Sequence, residues 1–228
     1  MEQIELTLDE GTKKQFPKGI KGTDLLKELD KKITKGAIAI KLNDKLLDLG
    51  SSIEEDGNIK LITAEDPEGL DICRHSTAHI MAQAVKDIYP DVKITIGPTV
   101  ENGFYYDFDK KVPFVPEDLE KIEKRMKEII KENIPIKRKV LTSEEAIKFY
   151  ASTGETYKVE VIQDLGEGHV SLYEQGNFTD LCRGPHLPST GKVKAFKLLK
   201  IAGAYWRGDE KNQMLQRIYG TAFPSKEK

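Results

Sequence analysis

Three of the four histidines and one of the two cysteines of this chain lie in two short segments, Arg74-His75-Ser76-Thr77-Ala78-His79 and Asp180-Leu181-Cys182-Arg183-Gly184-Pro185-His186. His75 and His79 have the spacing that stacks two side chains on one face of a helix. Cys182 and His186 repeat that spacing around Gly184-Pro185, which suits a loop or turn. The glutamate that follows the first histidine of a zinc-protease helix is missing, and Ser76 stands in its place. By residue type the four side chains suit zinc. They equally suit metal-free hydrolysis, in which imidazoles and a thiol position a water and move protons. A covalent Cys182 nucleophile, activated by a histidine, is a further option.

Asp180 shares a face with Cys182 if the segment is extended, where it could hold a substrate ammonium or orient a histidine. Lys158 lies in Thr156-Tyr157-Lys158-Val159-Glu160, whose alternation predicts a strand with Lys158 facing away from Tyr157 and Val159. A solvent lysine is the plainer reading there. Cys73 points away from His75 on a helix and belongs to the core, and His169 has no partner motif. Gly97-Pro98 and Gly103-Phe104-Tyr105-Tyr106 could line a groove with aromatic faces for bases, or form a turn with core aromatics. Tyr205-Trp206-Arg207-Gly208-Asp209 is open to the same two readings. No phosphate-binding glycine loop is present, so no nucleotide-dependent activity is expected in this stretch.

Bringing the two segments together requires a folded scaffold. At 228 residues the chain is long enough for one large domain or two modest ones. It is 38% hydrophobic and 32% charged, with a net charge of -2, the balance of a soluble globular protein. No apolar run approaches the ~20 residues that span a bilayer, and no membrane partner is expected. The acidic, alternating start is unlike a signal peptide, and two distant cysteines make no disulfide scaffold. A reducing cytoplasm is the expected location. The small net charge neither indicates nor excludes a nucleic acid, since an RNA end can be read by a local patch.

Residues 1–63 read as a β-grasp, ubiquitin-like module. It has a strand at Ile4-Glu5-Leu6-Thr7-Leu8, a turn at Asp9-Glu10-Gly11-Thr12, and a second strand ending near Phe16-Pro17. A helix capped by Thr23-Asp24 and strands at 37–42, 46–47 and 59–62 complete it. No residue in it looks catalytic. A linker at 64–69 leads to an α+β domain over 70–228. Here a long helix from about Leu70 to Tyr89 stops before Pro90, strands follow at 94–98 and 103–108, and Pro116 opens a second, amphipathic helix with a solvated outer face. A short helix is expected at 144–150, then strands at 157–162, 169–173, 196–202 and 214–219.

Taken in order with Gly97-Pro98, Gly103-Phe104-Tyr105-Tyr106-Asp107, Tyr205-Trp206-Arg207-Gly208-Asp209 and Leu215-Gln216-Arg217-Ile218-Tyr219-Gly220-Thr221-Ala222-Phe223, the two segments closely resemble the N-terminal part of the bacterial threonyl-tRNA synthetase family. The likeness runs over essentially the whole chain and implies a TGS module followed by the editing domain shared in outline with alanyl-tRNA synthetases. It implies a fragment normally joined to catalytic and anticodon-binding domains, to which ATP and zinc belong. The implied reaction is hydrolysis of the ester of mischarged seryl-tRNA(Thr). One methyl(ene) gives only ~1–3 kcal/mol of discrimination, so a second pocket that admits serine and clashes with threonine's methyl is needed.

The resemblance implies a catalytic set of His75, His79, Lys158, Asp180, Cys182 and His186. Asp180 would take the serine ammonium, His75 the terminal ribose and a proton, and Cys182 with His186 the attacking water. Lys158 would stabilise developing negative charge or orient Asp180. Gly97, Pro98, Tyr105, Tyr106 and Arg183 are the expected tRNA and substrate contacts. Alanyl-type relatives carry zinc on the corresponding ligands, whereas bacterial threonyl-type domains resemble metal-free hydrolases, so no cofactor is expected here. If zinc is present, its ligands are His75, His79, Cys182 and His186. The expected partner is the acceptor end of tRNA(Thr) carrying serine, not DNA. The alternatives are a non-catalytic tRNA-binding module and a zinc-dependent hydrolase of another substrate.

Overall fold

A computed structural model describes residues 2–9 and 11–225. Met1, residue Glu10 of the expected hairpin turn, and the C-terminal residues 226–228 of the expected second domain lie outside the described residues.

Alternation makes Gln3–Leu8 (β1) a strand with Ile4, Leu6 and Leu8 buried, paired antiparallel with Lys13–Pro17 (β2). Ile20–Lys21 (β3) leads into Gly22–Glu28 (α1), which opens ahead of the Thr23-Asp24 expected to cap it and has no side-chain cap. Lys31–Thr34 (α2) is a single turn, capped by the Asp30 carboxylate accepting from Lys32 N at 2.7 Å. Ala37–Leu42 (β4) pairs with Lys45–Asp48 (β5), and Ser52–Ile53 (β6) pairs with β3. Gly57–Thr63 (β7) then returns parallel to β1. The mixed sheet, in order β2-β1-β7-β4-β5, packs on Leu25 and Leu29 of the α1 segment, a β-grasp arrangement.

Residues 64–69, expected to link two modules, hold a tight turn and the first residues of Pro67–Ile88 (α3). Asp66 accepts from Thr63 N at 2.8 Å and from Thr63 Oγ at 2.9 Å, and Pro67 takes the first helical turn, where its missing N–H costs nothing. Gly69 packs directly on this turn; a Cβ there would lie 1.7 Å from the Thr63 carbonyl oxygen. Ile38, Ala39 and Ile62 of the first sheet share one core with Ile72, Cys73 and Ile80 of α3.

The mixed apolar stripe of α3 reflects burial on several sides. Lys93–Ile94 (β8), Thr99–Val100 (β9) and Gly103–Asp109 (β10) follow it. The strand expected over 94–98 is largely irregular, because Pro98 has no N–H; single bonds such as Thr95 N to Asp107 O at 3.1 Å hold it against β10. Pro116–Glu132 (α4) starts where its proline and acids predict, with the Asp118 carboxylate accepting from Val115 N at 3.1 Å, and buries Ile122, Met126 and Ile129.

Ile136–Thr142 (β11) is a mostly exposed strand. A reciprocal cap between Thr142 and Glu145 then opens Ser143–Ser152 (α5). Thr156–Leu165 (α6) corrects the expected strand at 157–162: it is a helix, closed by Gly166 at φ 60. Tyr157 and Val161 pack with Trp206 and Leu215, while Lys158 and Ile162 turn inward. The four-residue period thus overrides the local β-propensity of valine and tyrosine. His169–Gln175 (β12) sits between β11 and Phe178–Leu181 (β13). Ala195–Tyr205 (β14) and Met214–Phe223 (β15) form a hairpin that extends the sheet through β10 to β8. Among the described residues no helix is long and apolar enough to cross a membrane.

Candidate active site

Helix α3 carries His75 and His79 with ring centroids 5.0 Å apart. The loop after β13 brings His186 to 4.5 Å from the His75 ring and 4.3 Å from the His79 ring. Cys182 Sγ lies 3.2 Å from His75 Nε2 and 3.3 Å from His186 Nε2, and accepts the Gly184 N–H at 3.1 Å. Asp180, at the buried end of β13, forms an ion pair with Lys158 Nζ. Its carboxylate also accepts the Tyr106 hydroxyl at 2.7 Å and lies 3.4 Å from His79 Nδ1. Lys158 Nζ donates to the Tyr106 hydroxyl at 3.1 Å. All six sequence-predicted catalytic residues therefore meet in one cluster, and Lys158, 2% exposed, is no solvent lysine.

Burial sets the ionisation of this cluster. Desolvation holds the His75 imidazole below its ordinary range and those of His79 and His186 well below it. The Cys182 thiol is pushed up to about 12 by burial, against a smaller opposing effect of the Gly184 N–H. Desolvation raises the Tyr106 phenol well above its usual value. At neutral pH the cluster is a thiol, neutral imidazoles and one buried ion pair. A buried thiol of this kind is a poor nucleophile.

The His186 loop is gripped by residues that sequence reasoning did not assign. Ser76 Oγ lies 3.0 Å from His186 Nδ1 and accepts the Leu187 N–H at 3.0 Å. Ser171 Oγ donates to the Cys182 carbonyl at 2.6 Å, and the Ser171 carbonyl accepts the Cys182 N–H at 3.1 Å. Tyr173 packs its ring 4.4 Å from that of His186. Asp48, from the N-terminal module, accepts the His186 N–H at 2.7 Å and the Tyr173 hydroxyl at 2.6 Å. Ser76 stood inside a quoted motif and could have been found there; Asp48 carried no local signal.

His75, His79, Cys182 and His186 each offer one metal-ligating atom, and these atoms lie within 4.8 Å of one another. The two Cys182 separations, 3.2 and 3.3 Å, approach the roughly 3.3–3.8 Å edges of a tetrahedral zinc site. Donor types and spacing therefore fit the ion. The second nitrogen of His186, Nδ1, meets Ser76 Oγ, which can accept its proton or donate its own. With the ring proton on Nδ1, His186 donates to Ser76 and turns a free Nε2 toward the cluster, the arrangement of a metal-bound histidine; with the proton on Nε2 it donates to the Cys182 sulfur.

The expected binding residues divide. Gly97 and Pro98 are half-buried over Tyr106, and a Cβ on Gly97 would lie 2.1 Å from the Tyr106 ring. Tyr106 is fully buried and stacked on Phe108, which corrects its expected role as a face for bases; its hydroxyl, not its ring, serves the cluster. One face of Tyr105 is taken by the Arg217 guanidinium, 3.7 Å from the ring centroid and held by Asp107 at 2.7 and 2.9 Å. Arg183 is exposed at the rim, 2.7 Å from Glu167. Beside it a cavity of about 480 Å³, walled by Val140, Leu165, Val170 and Leu181, opens next to Cys182. Cys73 lies in the core and His169 is exposed on β12. Trp206 packs on Tyr157 and donates to Glu160 at 3.1 Å.

Residues 170–219 match the family model described as the threonyl and alanyl tRNA synthetase second additional domain. The chain is 58% identical over 225 residues to the threonine-tRNA ligase of Anoxybacillus flavithermus, which aligns with 98% of this chain and 35% of that protein. It is 54% identical over 226 residues to that of Pelobacter propionicus, covering 99% of this chain and 36% of the relative. For Geobacillus sp. (strain WCH70) the identity is 55% over 227 residues, with 99% and 35% covered. The chain thus spans about a third of the length of these relatives.

Proposed function

We propose, from the 54–58% identity to threonine-tRNA ligases and the match of residues 170–219 to the threonyl and alanyl tRNA synthetase second additional domain, that the chain belongs with them and that its cluster proofreads by hydrolysing the ester of seryl-tRNA(Thr). The observation that carries this reading is the convergence of a buried Lys158–Asp180 pair with neutral His75, His79, His186 and a Cys182 thiol. Asp180 binds the serine ammonium, and Lys158 stabilises the oxyanion that forms as water adds to the ester carbonyl. Cys182 and His186, whose Sγ and Nε2 lie 3.3 Å apart, hold that water. His79, with Nδ1 toward Asp180, turns Nε2 inward as the acceptor of the water proton. The proton gained by His79 is relayed through His75, 5.0 Å away between ring centroids, which takes it on one nitrogen as it gives the other's to the departing ribose oxygen, leaving free serine and intact tRNA.

Zinc hydrolysis is the second reading, favoured by the four clustered ligand atoms. Bound there, zinc would acidify a water and polarise the ester carbonyl. The metal-free route stands first because Lys158 and Asp180, outside that ligand set, supply the electrostatics it needs. Stoichiometric zinc in purified protein, with chelator-sensitive turnover, would reverse that preference.

The deciding assay is single-turnover deacylation of seryl-tRNA(Thr) and threonyl-tRNA(Thr). Faster release of serine is expected. Binding of both tRNAs with release of neither amino acid would leave a non-catalytic tRNA-binding module and reject the hydrolase.

A further inference from the structure

We infer that Asp48, which the N-terminal module contributes, is a positioning residue of the cleft: it anchors the loop that presents His186. The inference rests on the deacylase reading above. Both carboxylate oxygens are engaged with that loop or its support, one with the His186 N–H at 2.7 Å and one with the Tyr173 hydroxyl at 2.6 Å. Bonds this short to an ionised acceptor are the stronger kind. Tyr173 passes the restraint on twice. Its ring packs 4.4 Å from the His186 ring, and its hydroxyl crosses directly over Gly184, where a Cβ would lie 1.8 Å away.

Ser171 on β12, Ser76 on α3 and the Ile136 N–H of β11, which donates to the Pro188 carbonyl at 3.1 Å, also restrain the loop. None of these reaches the His186 backbone N–H, and among the described residues Asp48 alone accepts it. Without the carboxylate, the His186 N–H and the Tyr173 hydroxyl become donors without acceptors in a largely buried site. The loop would shift to find new partners, and His186 would move with it. A displacement of ~1 Å at a reacting geometry can cost about a hundredfold in rate. A module that looked chemically silent in the sequence thereby sets the placement of a cleft histidine.

The test compares Asp48→Ala and Asp48→Asn with the parent chain in deacylation of seryl-tRNA(Thr). Protein concentration is varied to separate the saturating rate constant from half-saturation. Asp48→Ala should lower the saturating rate about 10- to 100-fold and leave half-saturation near the parental value. Asp48→Asn should recover most of the rate, because its amide can accept from His186 N and donate to the Tyr173 oxygen. His186 imidazole NMR resonances should shift in Asp48→Ala and return in Asp48→Asn. A folded Asp48→Ala chain with the parental rate and unmoved His186 resonances would overturn the inference. Should that variant not fold, Tyr173→Phe, which removes one of the two bonds, should still lose rate and shift the same resonances; parental values there overturn it too. A parent chain that releases no serine rejects the deacylase reading instead, and the resonances still decide whether Asp48 places His186.

Discussion

Replacing Lys158 with methionine should destabilise this protein far more than loss of one polar contact. Lys158 is 2% exposed and Asp180 1% exposed, and they form an ion pair. Without the ammonium, Asp180 keeps, among the described residues, only the Tyr106 hydroxyl at 2.7 Å and His79 at 3.4 Å in a desolvated site. Breaking one side of such a pair costs about 3–5 kcal/mol. For a chain of this size each kcal/mol moves the melting temperature by about 2–4 °C, so a fall of roughly 6–20 °C is expected. Asp180→Leu should cost a similar amount, because it strands the ammonium. The double variant removes both charges together and leaves Tyr106 and His79 each short of a partner, about 1–3 kcal/mol in total. The two single effects should therefore exceed the double effect by at least about 2 kcal/mol. Urea unfolding of the four proteins measures this, with deacylation followed in parallel. All three variants should be inactive, including the more stable double variant. Additivity within about 0.5 kcal/mol would refute the reasoning, since it would mean that the charges do not face each other away from water.

The clustered histidines give an acid-sensitivity prediction. Burial depresses all three below the free-imidazole value of 6.5. Bases depressed in the folded state add stability that is complete above about pH 6.5 and is lost as the pH falls below it. Unfolding free energy should drop through that range, and His79→Gln should flatten the slope; parallel curves for the two proteins would count against neutral buried histidines. With Cys182 raised to about 12 and Cys73 to about 11, iodoacetamide at pH 8 should label native protein much more slowly than denatured protein. Cys182→Ala should retain measurable serine release, and a fast-labelling Cys182 would revive the covalent route. Gly184→Ala places a Cβ 1.8 Å from the Tyr173 hydroxyl at a φ of 73°. It should cost about 1–3 kcal/mol and most of the activity, and parental melting and rate would deny the close contact.

The chemistry was more legible in the sequence than its support. Histidine and cysteine are scarce in this chain and concentrated in two segments, so type and spacing alone named four cluster members. The α+β class followed from alternation near the N-terminus and from two long helices, the second opened by Pro116. Lys158 was placed on the wrong element because Tyr157, Val159 and Val161 alternate like a strand. The same residues also hold the helical pairs Tyr157/Val161 and Lys158/Ile162, with Gly166 as a stop, and short segments do not separate the two periods. Strand β11 was missed because exposed Lys137, Arg138 and Lys139 leave no apolar alternation. Tyr106 alternates with buried Phe104 and Phe108, which pointed inward, yet the neighbouring glycine suggested a groove. Asp48 was illegible because only the tertiary fold brings it to His186, 138 residues away.

The tight turn at Thr63 and Asp66, with Gly69 seated on the Thr63 carbonyl, changes where this molecule can be cut. Proline and glycine between two modules look like punctuation, and a truncation there looks harmless. Removing the first module would strip Ile38, Ala39 and Ile62 from the core they share with Ile72 and Cys73, turning part of α3 into an apolar surface open to water. The smallest heritable unit that keeps both the helix and the cleft in order is therefore the pair, and a shuffled gene that kept only the second half would inherit a sticky protein with a loosened histidine loop.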